Sequence, residues 1–139
     1  MDHDRSDSTR SAVQAFFTRF GEGDPERTAE LFAATVDWMI TGDPAVVPWV
    51  RPRSTRADVA AHFRELAENV AQADGSPVID AILADGRDAV VTGALNATIR
   101  TTGKPFRTPF ALHLTVEDGL LTRFHLYEDS LAVARAAGL

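Results

Sequence analysis

Phe106-Arg-Thr-Pro-Phe-Ala-Leu-His-Leu-Thr-Val-Glu-Asp-Gly-Leu-Leu-Thr-Arg-Phe-His-Leu-Tyr-Glu128 is the stretch on which the fold turns. Apolar and polar residues alternate on both sides of Glu117-Asp118-Gly119, the period of a strand pair with one buried face. Read as a three-residue loop ending in Gly, the turn pairs Val116 with Leu120, Leu114 with Thr122, Leu112 with Phe124 and Phe110 with Leu126. All but one of these pairs are apolar on both sides, as a buried face requires. The same count sets Glu128 opposite Thr108 on that face. His113 and His125 fall on the other face, where they come close across the hairpin as a solvated or subunit-contact pair.

Upstream, Val78–Ala84 and Asp88–Thr102 are extended too, so that with Phe106–Val116 and Leu120–Glu128 the C-terminal half supplies four antiparallel strands. Before Pro77 the period is helical. Val13, Phe16, Phe17 and Phe20 form the apolar stripe of a first helix, which Gly21-Glu22-Gly23 stops. Asp24 caps a short second helix with Pro25 at its first position and Leu31 and Phe32 on its buried side. Val36–Thr41 reads as a strand with Val36, Trp38 and Ile40 on one face and Asp37 on the other. A loop constrained by Pro44, Pro48 and Pro52 carries Trp49 over the pocket entrance. Val59, His62, Phe63, Leu66 and Val70 then mark a long helix, opened by a capping box at Thr55-Arg56-Ala57-Asp58 with Asp in place of Glu. Asp129 or Ser130 caps a last short helix, Leu131–Ala137.

Helices first and hairpin-linked strands second make an α+β fold: a cone-shaped, curved antiparallel sheet wrapped around the long helix, with two N-terminal helices and a short C-terminal one. Residues 1–8 have no hydrophobic anchor and read as a disordered lead-in, leaving 9–139 as a single domain. The chain has 139 residues, 45% hydrophobic and 24% charged, an ordinary globular balance. No run nears the roughly 20 apolar residues of a membrane span. Met1–Arg10 lack an apolar signal core, so the expected location is cytoplasmic. A net charge of −6 argues against a nucleic-acid partner, and the absence of cysteine removes thiolate chemistry and disulfides.

With the elements in place, the chain resembles the nuclear transport factor 2-like superfamily, in its SnoaL-like and ketosteroid-isomerase-like branch, from about Arg10 to Ala134. The motifs are Glu22-Gly23-Asp24, Leu31-Phe32-Ala33 running into Val36-Asp37-Trp38, and Pro52-Arg53-Ser54 before the long helix. Thr102-Gly103-Lys104-Pro105 at a hairpin and Tyr127-Glu128-Asp129-Ser130 at the last strand end complete them. The steroid isomerases of that superfamily use an Asp base, a Tyr and a protonated Asp. The resemblance places those three on Trp38, Phe16 and Leu112, none of which ionises, and so excludes that chemistry in its familiar form. It also turns Val91, Leu95, Ala97 and Ile99 inward with Phe63, Leu66, Phe110, Leu114, Phe124 and Leu126, and implies a homodimer through the outer sheet face.

The expected pocket is therefore apolar, its substrate-binding wall made of Phe16, Phe20, Trp38, Trp49, Phe63, Leu66, Leu95, Ile99, Leu112, Phe124 and Leu126. Glu128 is its inward carboxylate. Desolvated there it becomes a general acid or base near neutral pH; leaning out, it meets water or pairs with Arg51 or Arg53. His62, on the apolar stripe, is either a proton carrier or a buried His bonded to a backbone carbonyl. Glu65 sits off that stripe and reads as a surface residue. No ligand spacing points to a metal, and no cofactor is called for.

Two functions follow. One is a cofactor-independent SnoaL-like cyclase, isomerase or dehydratase acting on a hydrophobic, polyketide- or polycyclic-type small molecule, with Glu128 as acid or base and His62 as helper. The other is a non-catalytic ligand-binding or dimerisation module.

Overall fold

In the computed structural model, which describes residues 2–139, the long hairpin turns more tightly than its sequence implies. Asp118 and Gly119 both adopt positive φ, 52° and 78°, the signature of a two-residue hairpin turn, and Glu117 faces Leu120. Val116 then pairs with Leu121 and Thr115 with Arg123, which leaves Thr122 as the extra residue of a bulge. Beyond the bulge Leu114 faces Phe124, Leu112 faces Leu126 and Phe110 faces Glu128. This register differs by two residues from the sequence count. A shift of two preserves every face, because side chains alternate with period two. Glu128 accordingly stays inside, with Phe110 rather than Thr108 across from it, and His113 comes to pair directly with His125 outside.

The chain runs α1 (Asp2–Glu22), α2 (Pro25–Ala29), β1 (Phe32–Ile40), a single 3-10 turn at Pro48–Val50, α3 (Arg56–Asn69), β2 (Val70–Gln72), β3 (Val78–Asp85), β4 (Asp88–Ile99), β5 (Pro105–Glu117), β6 (Leu120–Glu128) and α4 (Ser130–Ala136). The strands form one curled sheet in the order β1-β6-β5-β4-β2, with β3 pairing the remaining length of β4. All pairings are antiparallel except β1 with β6. No hairpin joins those two, so nothing local dictates their direction.

The caps are those the sequence announces. Asp24 Oδ1 accepts from the Arg27 amide at 3.2 Å, and Asp129 Oδ1 from the Ala132 amide at 3.2 Å. At α3 the Thr55 hydroxyl accepts from the Asp58 amide while the Asp58 carboxylate accepts from the Thr55 amide, a full capping box.

Three boundaries depart from the sequence reading. Helix α1 begins at Asp2, where a disordered lead-in over 1–8 is expected. Its anchors are polar and escape an apolar count: the Gly86 amide donates to Ser6 Oγ, Thr9 Oγ1 donates to the Gly86 carbonyl, and Arg10 donates to the Ile82 carbonyl. Helix α2 ends at Ala29, and Phe32 belongs to β1 instead. Strand β2, only three residues long and directly following α3, is carried by its pairing with β4 rather than by any pattern of its own.

Thr9, Val13 and Phe16 of α1 and Val59, His62 and Phe63 of α3 face the concave side of the sheet. An aromatic cluster fills the narrow part of the cone. Phe32 is fully buried, its ring centroid 5.9 Å from Phe16, 6.4 Å from Phe63 and 6.1 Å from Phe124. Trp38 stacks on Phe124 at 4.3 Å. Each such side chain contributes roughly 1.5–3 kcal/mol by leaving water. The wide part of the cone remains open.

Candidate functional site

The opening is a cavity of about 80 Å³ between the sheet, α1, α3, α4 and the Trp49 turn. Phe16, Phe20, Trp49, His62, Phe63, Leu66, Leu95, Leu112, Phe124, Leu126 and Glu128 line it, as the sequence leads one to expect. Trp38 and Ile99 do not. Trp38 is consumed by its stack on Phe124, and Ile99 is 1% exposed where β4 pairs with β2. Sequence reasoning misses Phe17, Val70, Gln72, Pro77, Phe106 and Val133 as wall residues. It also leaves out Ile40, although Ile40 shares the inward face of β1 with Val36, and that alternation is a usable signal.

Glu128 is held by backbone on both sides of its side chain. The Thr41 hydroxyl accepts from its amide at 3.2 Å, and the Asp129 amide donates to Thr108 Oγ1 at 2.8 Å. Parallel pairing with β1 fixes the strand just before it, Ile40 lying beside Leu126. The carboxyl group projects among Phe110, Leu126 and the other apolar walls. Desolvation there pushes its pKa up to about 7. Arg51 and Arg53, the cations an outward-leaning Glu128 would meet, are engaged elsewhere: Arg51 Nη1 lies 2.5 Å from Glu65 Oε1, and the buried Arg53 pairs with Glu65 Oε2. Glu65 is thus no free surface acid. Desolvation raises its pKa, but its two guanidinium partners outweigh that and hold it below the ordinary carboxylate value.

His62 is 2% exposed, with Nδ1 3.0 Å from the Trp49 carbonyl oxygen. A carbonyl only accepts, so Nδ1 carries the proton and Nε2 the lone pair. Burial drives its pKa down to about 3, against the Trp49 bond, which raises it. At neutral pH His62 is therefore an uncharged wall residue and no proton donor. The same bond ties down Trp49, itself 7% exposed, as wall.

The cavity thus offers aromatic and aliphatic enclosure around a carboxyl group that takes up or gives up a proton near neutral pH. Among the described residues no group of three or more His, Asp or Glu gathers as a metal site. On the outer face Asp37 accepts from His125 Nε2 at 2.8 Å and from Arg123 at 3.2 Å, while Asp88 accepts from Thr115 at 2.7 Å and faces His113 Nε2 at 3.0 Å. Those groups lie across the sheet from the cavity. No helix among the described residues is long and apolar enough to cross a membrane.

Comparison with known proteins bears on the same region. A SnoaL-like domain family matches residues 13–124. No curated protein matches the chain. Among solved structures, an NTF2-like protein from Burkholderia xenovorans LB400 superposes with a TM-score of 0.84 at 24% identity, covering 96% of this chain and 98% of that one. A protein from Rhodopseudomonas palustris, named provisionally as an isomerase, gives 0.74 at 21% identity over 89% and 97%. One from Xanthomonas campestris pv. campestris, named provisionally as a polyketide cyclase, gives 0.77 at 18% identity over 96% and 99%.

Proposed function

Given that this chain belongs to the SnoaL-like domain family, with the nuclear transport factor 2-like fold, we propose that it is a cofactor-independent enzyme in which Glu128 moves one proton on a hydrophobic substrate. The observation that carries this reading is a lone carboxyl in an apolar cavity with its pKa near 7. Such a group is present in both forms at neutral pH, which suits it to give a proton at one step and recover it at the next. Isomerisation, ring closure and dehydration each ask for that much, and enclosure among Phe and Leu side chains supplies orientation. The resemblance sets Phe16, Trp38 and Leu112 where the steroid isomerases carry their ionisable trio, and no second protein acid or base is assigned.

The size of the cavity refines the substrate. At about 80 Å³ it is roughly half the 150 Å³ or so that accommodates benzene in an engineered apolar cavity. The reacting end of the substrate would sit inside, and a polyketide- or polycycle-sized remainder would lie in the adjoining cleft. That cleft, of about 280 Å³, shares Phe20, Phe63, Leu66, Val70 and Gln72 with the cavity wall.

The second reading, a binding module, draws on the outer sheet face. Leu83, Val90, His113, His125 and Met39 form one row across five strands, with Leu83 62% exposed. We assign that face to a homodimer, which either reading accommodates.

Allyl methyl ketone, whose double bond enters conjugation by transfer of one proton, and 4-hydroxy-2-butanone, which loses water, are small enough to test the chemistry by ultraviolet absorbance. Turnover by wild type that Glu128→Gln abolishes is the expected result. If neither compound reacts although both bind, the binding-module reading prevails.

A further inference from the structure

His62 has a ring nitrogen that nothing in the fold uses. Its Nδ1–H is engaged by the Trp49 carbonyl oxygen at 3.0 Å, which makes Nε2 the nitrogen with the lone pair. Among the described residues no group donates to Nε2. The Trp38 ring meets the His62 ring edge to face at 4.9 Å, yet Trp38 Nε1 has no hydrogen-bond partner and so does not claim it. Trp38 Nε1 and Arg53 Nε are the unpaired side-chain nitrogens that are sealed from solvent. His62 Nε2 is unpaired without being sealed, since the ring forms part of the cavity wall and Nε2 opens onto that space. With the residue as a whole 2% exposed, the cavity is where Nε2 meets a donor.

The other polar groups of the wall behave differently. Gln72 Oε1 already receives the Ser76 hydroxyl at 3.0 Å. The Trp49 indole N–H donates and cannot accept. The Glu128 carboxyl changes its role as it titrates at about 7. His62 Nε2 is a constant, uncharged acceptor, because burial holds the ring pKa at about 3. A ligand group without a donor displaces water from Nε2 and leaves a buried lone pair bare, at a cost of roughly tenfold in affinity. A hydroxyl is the smallest group that avoids this, and the space is small. About 80 Å³ holds roughly two or three groups the size of a water molecule. A carbon bearing a hydroxyl and a methyl fills it, and the remainder of the molecule lies in the adjoining cleft.

We propose that His62 Nε2 selects the ligand by accepting a hydrogen bond from a hydroxyl group, so that the end of the molecule inside the cavity is an alcohol. This rests on the reading of the cavity as the ligand site and deepens it by fixing the functional group that enters. The ring does not take the hydroxyl proton outright; moving a proton remains with Glu128.

The test uses the full chain labelled with nitrogen-15 and two probes of one carbon skeleton: racemic 2-hexanol, which donates, and 2-hexanone, which only accepts. Both are titrated by nuclear magnetic resonance at pH 6, where Glu128 is largely protonated and able to donate to either. The alcohol is expected to bind about tenfold more tightly than the ketone. It should also move the His62 Nε2 resonance toward the position of a protonated ring nitrogen, which the ketone should not do. His62→Asn retains an amide donor for the Trp49 carbonyl but places no acceptor at Nε2, and should bring the two affinities within about twofold of each other. Glu128→Gln should retain the preference for the alcohol. Should His62→Asn fail to fold, the Nε2 resonance of wild type decides. Equal binding of the two probes, or an Nε2 resonance that responds alike to both, overturns the hydroxyl assignment and leaves the cavity as a ligand site. A preference that survives in His62→Asn and disappears in Glu128→Gln gives the hydroxyl to Glu128 and overturns it too. If neither probe binds, the ligand-site reading falls with the proposal.

Discussion

Replacing Glu128 by Gln should shift stability in favour of the variant, relative to wild type, as the pH rises. In the unfolded chain this carboxyl titrates near 4.5; in the cavity it titrates at about 7. Between those values the folded protein holds a proton that the unfolded chain has lost, so each step up in pH favours unfolding. The stabilising protonated form is fully present below the unfolded pKa and is lost as pH passes the folded one. At about 1.4 kcal/mol per pKa unit, the whole climb corresponds to about 3 kcal/mol of destabilisation at pH 8 and above. Gln does not titrate. Its buried amide adds a cost of its own, but one that does not vary with pH. The difference in stability, variant minus wild type, should therefore grow by about 2 kcal/mol between pH 5.5 and 8.5, most of it below pH 7.5. For a chain of this length that is roughly 7 °C in relative Tm. Paired urea unfolding curves across that range measure it directly. A difference that stays flat would mean the carboxyl reaches water in solution, and the acid–base reading would lose its footing.

Three further outcomes follow from the geometry. Gly93→Ala should destabilise by about 3 kcal/mol in chemical denaturation, because the new Cβ would lie 2.0 Å from the Val78 carbonyl oxygen and backbone must move. Glu65→Ala should cost about 2 kcal/mol by the same assay: it strands Arg53, whose side chain is 3% exposed, although the partly exposed carboxylate keeps the loss below that of a fully buried pair. Sedimentation equilibrium should find wild type dimeric and Val90→Arg monomeric, since Val90 lies next to His113 in the middle of the outer face. A monomeric wild type would remove the dimer assignment.

How much of the site was legible can be followed residue by residue. Alternation along β6 places Glu128 inside, and the two-residue difference in register leaves its face unchanged. Most of the wall was found in the same way. Alternation puts Trp38 on the correct face, yet it lies behind the wall, because alternation gives a side and says nothing about depth; a stack on Phe124 sets that. The sequence leaves His62 between two roles. Its bond to Trp49, thirteen residues earlier, settles the matter, and no local pattern encodes that contact. Glu65 looks like a surface acid in the sequence, for the guanidinium groups that claim it come from the preceding loop.

By itself the sequence determined the periods: which residues cap the helices and which side of each strand faces inward. Those are local matters, decided by neighbours within a few positions. Tertiary structure alone decided which inward groups meet. It sent Arg51 and Arg53 to Glu65, locked His62 against a carbonyl, joined β1 to β6 in parallel and left the Glu128 carboxyl without a partner. A pKa depends on everything packed around a group within a few ångströms, whatever its distance along the chain, so the property that makes this cavity a candidate site exists only once the cone has closed.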